Sequence, residues 1–194
     1  MKLLIIVLCY FIFLPNVTAA SQLWIADLTE SKISFTASYD GLSFEGQFSQ
    51  FNAEFSHGSD TPDKRYLHST VDVTSINTNS RDRDQAIAEP EWFYFKKFPK
   101  ATFISQSIDK AQDNSFLISG TIKIRDQSKE ISFPLTWEKT STNKATASTR
   151  FELDRRDFNI GNGEWEDDET IGFTVIVAVD LVFKLNLDIN SLKQ

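Results

Sequence analysis

"TIGFTVIVAVDLVFKL", Thr170 to Leu185, is the stretch that decides the fold class of this 194-residue chain. Its apolar side chains occupy every second position, which is the period of a β-strand with one buried face. A long strand with one apolar and one polar face predicts an antiparallel sheet that meets water on one side. The residues that share the apolar face are Ile171, Phe173, Val175, Val177, Val179, Leu181 and Phe183.

Seven more runs with the same alternation precede this stretch, so the sequence predicts eight strands. In the second run the alternation slips by one position near Ser49 and Gln50, which predicts a β-bulge that bends the strand. Short polar turns between several runs favour an antiparallel meander. The seven runs are Lys32 to Tyr39, Ser43 to Phe55, Tyr66 to Val73, Ala101 to Asp109, Ser115 to Arg125, Lys129 to Glu138 and Lys144 to Leu153.

Eight long antiparallel strands can close into a barrel, which leaves no exposed sheet edge. A sandwich of two sheets is the alternative, but sandwiches favour shorter strands. The interior of an eight-stranded barrel is just wide enough for packed side chains or for one small ligand. The pattern therefore predicts an all-β barrel and leaves open whether its interior is filled or hollow.

A short insert interrupts the strands between the third and the fourth. Asn79 or Ser80 can cap a short helix over Arg81 to Ala88, and Pro90 ends it. The run "EWFYFKKFP", Glu91 to Pro99, follows and is rich in aromatic residues. No single face of a helix or strand can bury four consecutive rings. We therefore expect some rings to point into the barrel mouth and others to pack against the outer wall, which makes the insert a lid.

The N-terminal segment has the layout of a secretory signal peptide. Lys2 precedes an apolar run from Leu3 to Leu14, and small residues follow up to Ala20. This run is too short to cross a bilayer, which needs roughly 20 apolar residues. We expect residues 1–20 to be removed and residues 21–194 to form one exported domain. The only cysteine, Cys9, leaves with the signal, so no disulfide or thiol nucleophile is expected.

Composition and missing motifs narrow the function. The chain has 20 Lys and Arg against 27 Asp and Glu, a net charge of −7, which disfavours binding to nucleic acid. The sequence has none of the motifs of serine hydrolases, zinc proteases or phosphate-binding loops, so we expect no catalysis. His57 and His68 are predicted to be exposed, and the acid-rich segment from Glu164 to Glu169 is predicted to be a solvated loop. No metal or other cofactor is expected.

Several short motifs stand in a specific order and spacing. They are Ile33-x-Phe35, Gly46-x-Phe48-x-x-Phe51, Ile76-x-Thr78-x-x-Arg81-Asp82, Trp92-Phe93, Phe98-Pro99 and "RRDFNIGNGEW", Arg155 to Trp165. Together they resemble the YceI-like family of exported lipid-binding proteins, from Trp24 to about Phe183. The resemblance implies an extended, lipocalin-like barrel of eight antiparallel strands. It also implies a long hydrophobic tunnel for a polyisoprenoid or similar amphiphile, and no catalysis.

The resemblance is closest to a branch whose members occur joined to, or encoded beside, cytochrome b561-type membrane proteins. It implies a periplasmic, non-enzymatic carrier for a polyisoprenoid or an isoprenoid quinone, with such a membrane protein as a partner. The alternative is a stress-associated structural or interaction module whose barrel is filled and holds no ligand. Both a monomer and a homodimer fit the sequence.

The binding site is predicted from the surplus of aromatic residues and from the resemblance. Arg81 and Arg155 are candidates for contact with an anionic head group. Tyr39 is a third candidate, because many members of the family have a histidine at its position. The aromatic residues expected to line the tunnel or its lid are Phe35, Phe44, Phe48, Phe51, Trp92, Phe93, Phe95, Phe103, Phe133, Phe151, Phe158, Trp165 and Phe173.

Overall fold

The structure, a computed structural model, describes residues 22–57, 65–112 and 114–186. The expected signal peptide, residues 1–20, lies outside the described residues. The described part is almost entirely β-structure with one short helix, α1, at Arg81–Ile87. The strands are β1 Gln22–Ala26, β2 Lys32–Tyr39, β3 Leu42–Phe48, β4 Phe51–His57, β5 Tyr66–Asp72, β6 Ile76–Asn77, β7 Lys100–Lys110, β8 Ser115–Ile124, β9 Gln127–Lys139, β10 Lys144–Asp154 and β11 Thr174–Leu185.

The sheet closes on itself. Eight strands pair in the order β1, β4, β5, β7, β8, β9, β10 and β11, and β11 then pairs with β1. All of these pairs are antiparallel. β2, β3 and β6 extend the wall further along the barrel, because β2 pairs with β11, β3 with β2 and β6 with β3. The predicted eight-stranded antiparallel barrel is confirmed.

The predicted strands differ from the observed ones in four main places, one of which is the two-residue strand β6, which was not predicted. The predicted run from Ser43 to Phe55 is two strands, β3 and β4, interrupted at Ser49 and Gln50, where the slip in alternation predicts a bulge. β1 was not predicted, because five residues are too few to show a clear period. β11 begins at Thr174 instead of Thr170, and Ile171 forms only a single bridge with Tyr39.

Helix α1 follows the capping prediction. The hydroxyl of Ser80 accepts a hydrogen bond from the backbone N–H of Arg83, so Ser80 is the N-cap. Asp82 and Asp84 lie in the first turn, where the helix dipole favours negative charge. No helix among the described residues is both long and apolar enough to span a bilayer.

One end of the barrel is filled with interlocking rings. We call this region the packed end and define it by Trp24, Phe55, Phe116, Trp137 and Phe183. The ring centroids lie 4.8 Å apart for Phe55 and Trp137, 5.4 Å for Trp24 and Trp137, and 5.4 Å for Trp137 and Phe183. Trp24, Phe55 and Phe183 are almost completely inaccessible to solvent. The interior is therefore close-packed at this end.

Candidate functional site

The other end of the barrel is hollow. A cavity of about 500 Å³, the outer chamber, lies between helix α1, the β2–β3 hairpin and the adjoining ends of β5, β7, β8, β10 and β11. Most of the side chains that line it are aliphatic or aromatic. The inward-facing positions of the alternating strands supply many of them, so the period that predicts the barrel also makes that part of the wall apolar, and helix α1, the insert and the segment between β10 and β11 supply most of the others.

A smaller cavity of about 120 Å³, the inner chamber, lies deeper in the barrel. It reaches the packed end, since Phe183 belongs to its lining. Six side chains line both chambers, and we call them the collar. The collar consists of Ile33, Val71, Ala101, Ile122, Phe151 and Val177.

The structure brings most of the predicted aromatic residues to these chambers. Phe103 and Phe133 line the inner chamber, where Phe133 stacks on Phe151 with centroids 4.8 Å apart. Those that line the outer chamber are Phe35, Phe44, Phe48, Trp92, Phe93, Phe151, Phe158 and Trp165.

Three predicted aromatic residues, all within the described part of the chain, do not line either chamber. Phe51 is buried in the main hydrophobic core, where its strand partner is Val71 of the collar. Phe95 packs on Phe93 with centroids 6.3 Å apart. The guanidinium of Arg156 lies over the ring of Phe173, 3.6 Å from the ring centroid. These rings therefore support the wall around the cavity.

The aromatic insert folds as two successive turns. Trp92 and Phe93 line the outer chamber, whereas Tyr94 and Phe98 pack edge to face with centroids 6.2 Å apart. Tyr94 has a left-handed backbone, with φ of 51°, which is costly for a bulky residue. The reversal at Tyr94 separates the rings that line the cavity from those that pack elsewhere.

Two contacts hold the insert over the chamber. The guanidinium Nη1 of Arg125 donates to the carbonyl of Trp92 at 2.6 Å and also to the carbonyl of Asn159. The backbone N–H of Gly161 donates to the carbonyl of Glu91 at 2.8 Å. The insert is thereby fixed to the segment that follows β10.

Arg155 organises that following segment. Its side chain is 3% exposed, and its five N–H groups donate to six backbone carbonyls. Burial lowers the pKa of the Arg155 guanidinium below its usual value. A Cβ at Gly161 would lie 2.6 Å from Nη1 of Arg155, so only glycine permits this approach. The accepting carbonyls are those of Ile160, Gly161, Trp165, Asp167, Ile171 and Gly172.

These hydrogen bonds bear on the predicted role of Arg155. Although Arg155 lines the outer chamber, its donors are already used by the backbone. It holds Trp165 at the chamber wall, where Trp165 packs on Trp92 with centroids 5.9 Å apart. The bonds to Ile171 and Gly172 also occupy carbonyls just before β11, which fits its late start at Thr174.

Of the polar residues at the mouth, Tyr39 is a predicted head-group candidate, whereas Asp82 and Arg83 are not. Tyr39, Asp82 and Arg83 line the outer chamber, and Tyr39 is 44% exposed. Arg81 is exposed and does not line the outer chamber. Residues two apart on a helix point in roughly opposite directions, whereas Arg83 shares its face with Ile87 four residues later, which is buried. Ile87 is apolar and therefore marks the inward face of the helix, so its position in the sequence could have identified Arg83, four residues earlier, as a residue on that face.

Arg83 is held in place by one ring contact and two hydrogen bonds. Its guanidinium lies 4.1 Å above the centre of the Phe44 ring. Nε donates to the hydroxyl of Thr78 at 2.9 Å, and Nη2 donates to the carbonyl of Thr78 at 2.8 Å. A guanidinium has five N–H groups, so these two bonds leave donors for a ligand at the mouth.

Residues 24–183 match the profile of the YceI-like domain. The chain belongs to the YceI-like family. Two YceI-like relatives are UPF0312 proteins from Shewanella. The one from Shewanella oneidensis is 27% identical over 116 residues, which cover 59% of this chain and 61% of the relative. The one from Shewanella sp. strain W3-18-1 is 28% identical over 102 residues, which cover 52% of this chain and 53% of the relative. The chain thus spans between half and two thirds of these relatives.

Solved structures share the barrel. The crystal structure of BcnA from Burkholderia cenocepacia superposes with a TM-score of 0.76 at 26% identity, covering 81% of this chain and 98% of BcnA. A polyisoprenoid binding domain from Saccharophagus degradans, implicated in plant cell wall breakdown, superposes with a TM-score of 0.68. It is 15% identical and covers 84% of this chain and 98% of that domain, so this likeness concerns the fold alone.

Proposed function

We propose that this chain is a non-enzymatic carrier whose barrel encloses the apolar tail of a polyisoprenoid or a similar amphiphile. The observation that carries the proposal is the outer chamber. Its volume of about 500 Å³ falls within the range of small-molecule sites, roughly 300 to 1,000 Å³. The inner chamber extends the same apolar lining toward the packed end.

The energetics favour recognition through the tail. Burial of one five-carbon isoprene unit contributes about 3 to 4 kcal/mol, at roughly 0.8 kcal/mol per carbon group. A net hydrogen bond contributes only about 1 kcal/mol. Aromatic walls such as those formed by Phe133 and Phe151 give a large rigid contact surface to a branched, partly unsaturated chain.

The head group, in this proposal, meets Arg83 at the mouth. Arg83 lines the outer chamber and keeps donors beyond those bound to Thr78. Tyr39 lies at the same mouth and is the second polar contact. Asp82 also lines the chamber, and its negative charge should limit the preference for an anionic head group to a modest one.

The cellular setting is part of the proposal. The signal peptide expected at residues 1–20 places the domain of residues 21–194 in the periplasm. A carrier there shields an isoprenoid lipid or an isoprenoid quinone from water, and a cytochrome b561-type membrane protein is the proposed partner. The name of the polyisoprenoid binding domain from Saccharophagus degradans supports a ligand of this class.

Extraction of the natively purified protein tests the proposal. The protein is purified without detergent, its mass is measured under native conditions, and an organic extract is then analysed by mass spectrometry. We expect one prenyl lipid or quinone per barrel, or its uptake by the empty protein from vesicles that contain prenyl alcohols. Empty protein that takes up none of these lipids would favour the structural module without a ligand.

A further inference from the structure

We infer that the inner chamber and its floor set the longest apolar tail that this barrel accepts. The inference rests on the proposed function and adds the property that selects among prenyl lipids, which is tail length. It follows from the contrast between the two chambers, which meet at the collar, and the close-packed rings beyond the inner chamber.

The walls of the inner chamber are shaped for the end of a tail. Phe151 of the collar stacks on Phe133 at 4.8 Å, and Phe133 packs on Phe103 at 5.2 Å, which makes one side aromatic. Ala53 and Ala147 also line the chamber, and their small side chains leave its space open. A chain that passes the collar therefore enters a second apolar compartment of about 120 Å³.

The floor of the inner chamber leads into solid packing. Leu135 and Phe183 line the chamber and are only 3% and 1% exposed. Behind them, Phe183 packs on Trp137 at 5.4 Å and on Phe55 at 6.2 Å. A longer tail would have to displace these rings, and a close-packed core resists such displacement.

The limit on tail length should be visible in the amount of each lipid that the protein extracts from a bilayer. The bilayer interior is about as apolar as the cavity, so added isoprene units change extraction little while every unit fits inside. Once the chambers are full, each further unit must remain in water at the mouth. At about 3 to 4 kcal/mol per unit, extraction should then fall by roughly several hundredfold per unit.

Two substitutions should move this limit in opposite directions. Ala147→Leu fills the inner chamber and should shift the limit to shorter tails. Leu135→Ala lowers the floor and should shift it to longer tails. Ser148→Leu adds the same side chain at an exposed position of the same strand and serves as the matched control. Circular dichroism of each variant shows whether the barrel has folded.

The experiment offers phosphatidylcholine vesicles that contain prenyl alcohols of about two to about ten isoprene units. The lipid bound to the protein is quantified by mass spectrometry after the vesicles are removed. We expect even extraction up to one length and a steep fall beyond it. The break should move to shorter tails in Ala147→Leu, to longer tails in Leu135→Ala, and not at all in Ser148→Leu.

The outcomes separate this inference from the proposed function. If no prenyl alcohol is extracted at any length, the proposed function fails. If all lengths are extracted equally, the carrier function stands and the length limit is wrong. If a break exists but Ala147→Leu leaves it unchanged, the inner chamber does not set it and the inference is overturned.

Discussion

The packed end and the hollow end of this barrel are built from the same strands with the same alternation, yet only one of them is filled. At the packed end, Trp24, Phe55, Trp137 and Phe183 meet ring against ring across the interior. At the hollow end, the strands contribute mostly aliphatic side chains, and the lining leaves the outer chamber open. Period-two alternation decides what faces inward, and side-chain size decides whether the interior is occupied.

The two ends also differ in how completely paired strands form the barrel wall. Around the packed end all eight strands of the closed ring are paired. At the hollow end β6 has only two residues and, among the described strands, pairs with β3 alone. Helix α1 and the aromatic insert complete the wall there by lying over the opening. A wall closed by a covering segment can enclose a wider space than a ring of paired strands.

The largest difference between the two ends should appear in folding stability. Phe55→Ala removes a fully buried ring at the packed end and should lower the free energy of unfolding by about 3 to 5 kcal/mol. Phe48→Ala should cost only about 1 to 2 kcal/mol, because its ring already faces open space. Urea unfolding of both variants measures this difference, and equal losses would mean that the two ends are packed alike.

Removal of Arg155 should have the next largest effect. Arg155→Met leaves six backbone carbonyls without their donor and should destabilise the fold by about 2 to 4 kcal/mol. Arg155→Lys keeps the charge but lacks the planar fork, so it should restore only part of the loss. A stable Arg155→Met variant with weakened lipid binding would instead assign Arg155 to the head group.

The aromatic insert should matter for binding more than for folding. Trp92→Ala together with Phe93→Ala opens the outer chamber and should weaken uptake of a fluorescent prenyl lipid about ten- to a hundredfold. Phe98→Ala changes a ring of the same insert that does not line the chamber and serves as the control. Unchanged uptake by the folded double variant would refute the lid.

The head-group contact should have a smaller effect. Wild-type protein should bind a prenyl phosphate several-fold more tightly than the matching prenyl alcohol, because Arg83 at the mouth keeps donors for it. Arg83→Gln should remove this preference, whereas Arg81→Gln should leave it, since Arg81 does not line the outer chamber. Titration of each variant with both lipids gives the ratio. Equal affinities in wild-type protein would place the head group away from Arg83.

The smallest effect concerns one hydroxyl in the inner chamber. The Oγ1 atom of Thr149 is buried there and has no hydrogen-bond partner among the described residues. Thr149→Val keeps the shape and removes the unpaired group, so it should stabilise the fold by up to about 1 kcal/mol and tighten tail binding a few-fold. If binding of the lipid instead weakened tenfold, a polar atom of the ligand would reach the inner chamber.

Much of the fold could be predicted from the sequence, because alternation sets strand direction and burial locally. The run from Thr170 to Leu185 and the slip near Ser49 both have direct counterparts in the structure. β1 could not be predicted, since it depends on pairing with the distant β4 and β11.

The site was harder to predict than the fold. The cavity depends on how side chains from many strands fill a shared space, and no single strand carries that information. Whether Arg81 or Arg83 faces the chamber depends on how helix α1 is oriented on the barrel. The role of Arg155 depends on backbone carbonyls that follow it in the sequence, such as that of Trp165. The aromatic run was informative, because four consecutive rings cannot all pack on one face.

The central claim is that the hollow end holds the ligand tail and the packed end stops it. Anomalous X-ray diffraction from crystals of the protein loaded with a prenyl alcohol that carries bromine at its tail end tests this claim most directly. The account predicts one bromine peak inside the barrel, within contact distance of Phe133 and Phe151. A peak on the outer surface, or at the mouth beside Arg83, would contradict it.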